Sequence, residues 1–482
     1  MDRLQRKTKI VATLGPASAT PEAIGQLMTA GADVFRLNFS HGSHDEKQRL
    51  IAAIRSQAKL HHQPVAILAD LQGPKIRTGK MEGGGVLLEK GERLVITTKE
   101  LLGRKGLIST TYAELPQDVS PGARILLDDG MISLKVLEVR KRKGEVECQV
   151  VDGGVIKDNK GINLPGVSVS APSLTAKDQE DLLFCLGADI DFVALSFVRR
   201  GSDLEEIKEI IHRHGADLPV VAKIEKPEAL RNFNAILKVA DAVMVARGDL
   251  GVEIRAERVP LIQKKIIRAC NQAGKPVITA TQMLESMTTH PRPTRAETSD
   301  VANAILDGTD AVMLSAETAS GSYPVEAVRT MTRIALDVER STAWLDRPRM
   351  STHSVNISEA VTEAASRVAS TLRARAIAVF TQSGSTARLM AKHRPEQRII
   401  AFTPSETIQR QLALVRGVYS YPVGRMGNTD EQIRAVEATL LSGGLKKGDL
   451  VVITMGMPVE SRGSTNLIKV HKLGTGQFYE IF

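Results

Sequence analysis

Aromatic side chains are scarce in this sequence, 3% of 482 residues, and there are only three cysteines, Cys148, Cys185 and Cys270. The first scarcity leaves few ring faces on which single-stranded bases could stack, so nucleic acid is not an expected partner. The cysteines are odd in number, widely spaced and without paired metal-ligand spacing, which argues against a disulfide framework or a zinc site and fits a reducing compartment. Long apolar runs are also missing. Residues 65–68 and 451–454 are among the longest, far short of the roughly 18 residues a membrane span needs. The basic start, residues 1–7, leads into Lys9-Ile10-Val11-Ala12-Thr13 without the apolar core and small-residue cleavage site of a secretory signal, so a cytoplasmic location is expected. There is no Walker-type glycine-rich loop and no dinucleotide fingerprint.

What is present is a long chain of mixed charge. With 42% hydrophobic and 25% charged residues, it reads as two or three globular domains. The 64 Lys plus Arg against 55 Asp plus Glu give a net charge of +9; the basic residues are spread among acids, which suits a small anionic substrate better than a polyanion.

A recurring unit organises the sequence: a short β-branched apolar run with a polar end, then an amphipathic helical stretch. Eight candidate strands follow this pattern, at 9–15, 34–40, 65–71, 191–197, 219–225, 242–250, 276–282 and 311–318. Runs apolar on both faces belong to a parallel sheet, and eight such units close a (β/α)8 barrel. The rhythm breaks at residues 73–171, where short alternating segments at 85–88, 93–97, 133–139 and 145–150 predict an inserted antiparallel β barrel. Placed after the third strand, it would cover the catalytic face as a lid, with Gly73-Pro74 as the hinge. The expected division is 1–72 with 172–342 for the barrel, 73–171 for the lid, and 343–482 for a C-terminal α/β domain. A polar linker is expected at 338–356, then strands at 376–381, 398–403 and 449–454 and helices at 358–372, 406–414 and 430–441.

In such barrels the reactive groups sit at the C-terminal ends of the strands. Here those ends carry Arg36 and Asn38 to Gly42, Asp70 to Arg77, Lys223-Ile224-Glu225, Arg247-Gly248-Asp249, Thr281 and Ser315 to Thr318. Glu225 and Asp249 close consecutive strands, and two carboxylates converging on an axis repel unless a cation lies between them. Mg²⁺ or Mn²⁺ is the natural occupant; pairing of each carboxylate with a nearby Lys or Arg is the competing reading. Lys223, two residues before Glu225, shares its face. An ammonium beside a divalent cation calls for an anion, such as a phosphoryl group or an enolate. Arg36 offers a planar donor for phosphate oxygens, or else a salt bridge to Asp33 or another acid. Thr281 could equally well be bonded to backbone. A nucleotide would have to bind in the cleft between barrel and lid. In the third domain, residues 381–386 link a strand to a helix start, where amides and hydroxyls suit phosphate, or where they simply cap the helix.

Taken together, the segments at 9–16, 36–42, 246–251, 279–287 and 291–297 resemble pyruvate kinase signatures, in family order, and the similarity runs from about Lys7 to the C-terminus. The resemblance implies phosphoryl transfer from phosphoenolpyruvate to ADP, followed by protonation of the pyruvate enolate. It implies that Lys223 stabilises the transferring group and the enolate, that Glu225 and Asp249 bind the divalent metal, and that Arg36 holds substrate phosphate. Thr281, with the backbone at Gly248 and Asp249, would contact the carboxylate, and Ser315 and Glu317 would belong to the proton relay. Asn38, His41, Arg77 and Lys160 would serve the nucleotide. A homotetramer is also implied, as is a phosphorylated effector held by Thr381, Ser383, Gly384, Ser385 and Thr386; Gln382 stands where some fructose-bisphosphate-regulated members have Lys.

One departure concerns the monovalent cation. Members that need K⁺ carry Thr and Glu where this chain has Leu71 and Lys75, while Asn38, Ser40 and Asp70 of that pocket are retained. Lys75 could place its ammonium where K⁺ would sit, so K⁺-independent activity is expected. Two rivals remain. A metal-dependent barrel lyase or aldolase acting on pyruvate enolates could use the same Lys, Glu and Asp but would not explain Arg77 and Lys160. A non-catalytic sugar-phosphate sensor would have let the barrel site decay.

Overall fold

In the computed structural model the described residues are 6–167, 169–341, 356–424, 428–457 and 465–475. Eight parallel strands close a barrel: β1 (Lys9–Thr13), β2 (Val34–Asn38), β3 (Ala66–Asp70), β4 (Phe192–Leu195), β5 (Val220–Ile224), β6 (Ala242–Ala246), β7 (Val277–Ala280) and β8 (Ala311–Leu314). The ring shuts where Lys9 of β1 pairs with Ala311 of β8. Every residue of β1, β3 and β6 is buried, because helices cover the outside while side chains fill the inside. That explains their unbroken apolar runs. Serine and threonine caps start several of the intervening helices: Ser43 and Thr175 each accept the N3 amide while the N3 carboxylate, Glu46 or Asp178, returns to the cap.

All eight strands fall where the sequence pattern puts them, each ending one to four residues early, and in two the expected run continues into helix. Residues 247–250 lie in the short helix Arg247–Glu253, and Ala316–Ala319 forms another helical turn. Asp249 therefore sits on a helix after β6 and does not end the strand.

The insert is mainly β, with a helical turn at Leu115–Asp118, and is built as two sheets around one core of its own. Six strands run in the order Ile162–Asn163, Arg124–Leu127, Ile132–Arg140, Glu145–Asp152, Arg93–Thr97, Leu107–Ser109, and Gly85–Leu88 pairs separately with Gly154–Lys157. The last pair of the larger sheet is parallel. Asn163 of the insert donates to Glu253 Oε1 (3.0 Å) beside the catalytic face.

The C-terminal domain is a five-stranded sheet, four strands parallel and the edge strand Leu467–Lys472 antiparallel. Val418–Pro422 and Leu467–Lys472 are additional to the three expected strands, and Ser385–Lys392 is an additional helix. The helix Pro324–Ser341 occupies the start of the expected polar linker; residues 342–355 of that linker lie outside the described residues. The domain closes the opposite mouth of the barrel from the insert. Ala413 and Leu414 join the core inside the barrel with Val11, Val34 and Met244, and Lys9 Nζ donates to the Val418 carbonyl (2.7 Å).

Candidate active site

Lys223 anchors the site. From β5 its ammonium reaches Ser196 Oγ at 2.7 Å, Glu225 Oε1 at 3.0 Å and Asp70 Oδ1 at 3.1 Å. Burial alone would strip its proton, but Asp70 and Glu225 outweigh burial and hold its pKa above the ordinary lysine value. Asp70, wholly buried at the end of β3, also accepts from Arg36 Nε (2.7 Å). Burial pushes Asp70 up, yet Lys223 and Arg36 bring its pKa below the usual carboxylate value. Arg36 thus forms its salt bridge with Asp70; Asp33 is taken by Arg6 (2.8 Å). Arg36 Nη1 also donates to Thr13 Oγ1 (3.2 Å), which fixes the guanidinium plane across β1, β2 and β3.

Glu225 is 1% exposed, and its Oε2 accepts the Phe197 amide (2.7 Å). Burial raises its pKa, Lys223 opposes that, and Asp249 adds to it. A buried carboxylate whose charge is disfavoured by a second one beside it fits a divalent cation between the two, which would relieve it. Among the described residues no group of three such ligands gathers, and two suffice for Mg²⁺ or Mn²⁺, which keep water and substrate oxygens in their remaining positions.

The backbone around the site is unusual. Phe197, Thr281 and Gln282 have φ of 55°, 67° and 54°, left-handed values that L-residues adopt at a cost. Thr281 Oγ1 accepts the Gly248 amide (2.7 Å) and donates to the Ala280 carbonyl (2.5 Å), so the backbone-bonded alternative is the one seen. Arg247 holds this turn from beneath, donating to the Thr281 carbonyl (2.7 Å) and pairing with Asp300 (2.8 Å). On the far side both oxygens of Glu317 accept backbone amides, Ser315 at 2.6 Å and Leu284 at 3.1 Å, which ties the ends of β7 and β8 together. Burial pushes the Glu317 carboxyl up.

Between barrel and insert lies an open cleft, walled by Lys75, Asp129, Phe197, Arg199, Lys226 and Asp249 among others. Burial, then Arg77, Lys47 and Lys75, lower the pKa of His41, so His41, Arg77 and Lys75 share one positive field. Arg77 Nη1 donates to the Asn159 carbonyl (3.0 Å) and Lys160 pairs with Asp128 (2.9 Å). Asn38 Oδ1 accepts the Ser40 amide (3.0 Å), and Asn38 is the register partner of Asp70. Lys75 does not join them. It is exposed on the cleft wall, because the chain turns at Gly73 (φ 69°) and leaves the barrel, while the oxygens of Asp70 are engaged by Arg36 and Lys223.

In the C-terminal domain Gly384 (φ 79°) opens the helix Ser385–Lys392. Ser383 Oγ donates to Ser385 Oγ (3.1 Å), and the hydroxyls of Thr386 and Thr465 are 2.7 Å apart. Thr381 Oγ1 is buried and has no hydrogen-bond partner among the described residues. Two site residues escaped the sequence reading, Ser196 and Thr13. Ser196 follows Ala194-Leu195 at the end of the fourth predicted strand, and reading every strand end with equal weight would have found it.

Comparison with known proteins bears directly on this geometry. Family profiles described as the pyruvate kinase barrel domain and the pyruvate kinase alpha/beta domain match residues 5–328 and 359–471. A pyruvate kinase of Geobacillus stearothermophilus is 54% identical over 97% of this chain and 80% of its own length. One from Staphylococcus epidermidis is 48% identical, again over 97% of this chain and 81% of its own. The crystal structure of a pyruvate kinase from Cryptosporidium parvum superposes with a TM-score of 0.92 at 39% identity, covering 98% of this chain and 97% of that one. With a closed barrel, its carboxylate-flanked lysine and both family profiles in agreement, the chain belongs to the pyruvate kinase family of phosphotransferases.

Proposed function

We propose that this chain moves the phosphoryl group of phosphoenolpyruvate to ADP, yielding pyruvate and ATP in the last step of glycolysis, at the C-terminal mouth of the barrel. The observation that carries the assignment of roles is the contact set of Lys223, which aims a protonated, water-poor ammonium into a site rich in carboxylate. Neither the lyase nor the sensor alternative has comparable support.

Phosphoryl transfer needs positioning and charge stabilisation more than covalent help. Lys223 supplies the charge nearest the transferring group and, after transfer, the enolate oxygen. Arg36, with Nε and Nη1 already engaged, turns its remaining donors to the substrate phosphate. Glu225 and Asp249 hold Mg²⁺ or Mn²⁺, which when bound screens phosphate charge and orients its oxygens. The Asp249 amide, in the first turn of a helix, lacks an intrahelical acceptor, and the Gly248 amide exchanges its bond to Thr281 Oγ1 for one to substrate; with Thr281 they receive the substrate carboxylate. Thr281 then stands next to the carbon that takes the proton, with Ser315 and Glu317 at the outer end of the proton path. Asn38, His41, Arg77 and Lys160 bind ADP as the insert closes.

The domain division 1–72 with 172–342, 73–171 and 343–482 is proposed on the separate cores of the three units. A homotetramer, a cytoplasmic site of action, and a phosphorylated effector on Thr381, Ser383, Gly384, Ser385 and Thr386 complete the reading. No described helix is long and apolar enough to cross a membrane.

K⁺ is proposed to be dispensable. Asp70, the carboxylate of that pocket beside Asn38 and Ser40, already has two cationic partners, and Lys75 adds fixed positive charge to the cleft wall. The test is an assay of pyruvate formation with Mg²⁺ in K⁺-free buffer. Turnover within about twofold of that at saturating K⁺ is expected, where a lost ion contact of 1.4 kcal/mol would cost about tenfold. Strong activation by K⁺ would defeat the Lys75 argument and leave the reaction assignment standing.

A further inference from the structure

Glu225 and Asp249, the carboxylates assigned to the metal, stand on different segments: Glu225 in the short link after β5, Asp249 on the helix Arg247–Glu253 after β6. A third carboxylate, Glu253, ends that helix. It is buried, and a buried carboxylate is costly unless cations or donors meet it. Its Oε1 accepts from two side chains, Lys226 Nζ at 2.5 Å and Asn163 Nδ2 at 3.0 Å.

Both partners matter for the metal pair. Lys226 follows Glu225 directly, and Asp249 lies one helical turn before Glu253, on the same helix face. The Lys226–Glu253 ion pair therefore closes a ring: Glu225 to Lys226 through a peptide bond, Lys226 to Glu253 through the ion pair, Glu253 to Asp249 through a helical turn. Beyond the ladder of β5 with β6, which ends at Ile224 and Val245, the ion pair ties the two segments through side chains. Lys226 Nζ also lies over the Phe197 ring (5.6 Å from its centroid), and the Phe197 amide donates to Glu225 Oε2 (2.7 Å), so the tie is braced on the Glu225 side.

Asn163 brings the insert onto the same oxygen, from the strand Ile162–Asn163. A second part of the insert approaches the same helix: a Cβ on Gly130 would lie 3.6 Å from Val252 Cγ1. An insert that swings away removes one of the two donors of Glu253 Oε1 and leaves a buried charge underbonded, a cost that favours the seated position.

We propose that Glu253 is a positioning residue for the reaction: through Lys226 and its own helix it holds the spacing of Glu225 and Asp249, and through Asn163 it makes that spacing depend on the seating of the insert. Metal affinity and insert seating are then coupled, each strengthening the other. The inference rests on the assignment of Glu225 and Asp249 to the metal.

The test measures Mn²⁺ binding to the full chain, without substrates, by electron paramagnetic resonance of the free ion, together with amide hydrogen exchange of residues 161–164 with and without Mn²⁺. Asn163→Ala alters neither metal carboxylate nor Lys226. It should weaken Mn²⁺ binding about fivefold or more, the low end of coupling between sites, and Mn²⁺ should slow exchange at 161–164 in wild type but not in this variant. Glu253→Gln keeps the shape and an acceptor for Asn163 but loses the charge that faces Lys226, and should weaken Mn²⁺ binding at least as much. The inference is overturned if either variant, folded by circular dichroism, binds Mn²⁺ as wild type does, or if Mn²⁺ leaves exchange at 161–164 unchanged in wild type. Failure of the metal assignment itself would show differently: wild type would bind no Mn²⁺, or Glu225→Gln would bind it undiminished, and the inference would fall with that assignment.

Discussion

Lys223 gathers its partners from two other strand ends and its own: Asp70 closing β3, Ser196 after β4 and Glu225 just beyond β5. Of these, Ser196 is the neutral one, and it also donates to the Leu71 carbonyl (2.8 Å), so it orients the ammonium without adding charge. Ser196→Ala should leave Lys223 protonated by its two carboxylates but free to swing toward either. The expected result is a fall in kcat of about tenfold, the effect of one hydrogen bond to a charged group, with KM for phosphoenolpyruvate little changed. Steady-state kinetics of the variant decide it; a change confined to KM would mean that Ser196 contacts substrate instead.

At the scale of elements, the junction between barrel and insert depends on one glycine. Gly73 has φ of 69°, and a Cβ there would lie 2.8 Å from Phe197 Cδ2 and 2.9 Å from Ser196 Cβ. Gly73→Ala combines a left-handed penalty of roughly 1–2 kcal/mol with pressure on the strand end that orients Lys223. Both the unfolding temperature and kcat should drop; a variant with wild-type values in both would show that the turn relaxes freely. The turn was legible because Gly-Pro after an apolar run has few other readings, and the barrel strands were legible because burial on both faces leaves continuous apolar runs. Periodicity carried β6 too far at 247–250, where Arg-Gly-Asp-Leu turns into a helix carrying Asp249. It also missed Val418–Pro422, whose Tyr-Ser-Tyr core is only half-buried at a sheet edge. Lys75, four residues beyond Leu71, lies past the Gly73 turn on the cleft wall, a placement that the residue types at 71 and 75 do not reveal.

For the whole molecule, the barrel is covered at both mouths, by the insert over the catalytic end and by the C-terminal domain beneath. The lower contact is ionic as well as apolar. Arg410 reaches Asp191 and Asp189 at 2.7 Å each, and Arg55 from the barrel reaches the same two acids at 2.6 and 2.7 Å. Asp191 is fully buried and also accepts the Ile67 amide (2.8 Å), so this bridge leads directly into β3, which ends in Asp70. Arg410→Ala should destabilise the chain by about 1.5–3 kcal/mol, since Asp191 keeps Arg55 but loses a charged donor. Denaturant unfolding measures this, and a loss below about 0.5 kcal/mol, the range of an ordinary surface change, would show that the C-terminal domain is held by its apolar contacts alone.

The claim on which the account rests is that Lys223 stabilises the charge of the transferring phosphoryl group. The most direct measurement compares pyruvate formation from phosphoenolpyruvate, ADP and Mg²⁺ by the native chain and by Lys223→Met, with circular dichroism to establish that both are folded at the assay temperature. The account predicts brisk native turnover and a loss of roughly 10²–10³ or more in kcat for the variant, the range for removing one preorganised charge-stabilising group. A folded Lys223→Met that turns over within tenfold of the native chain would contradict it.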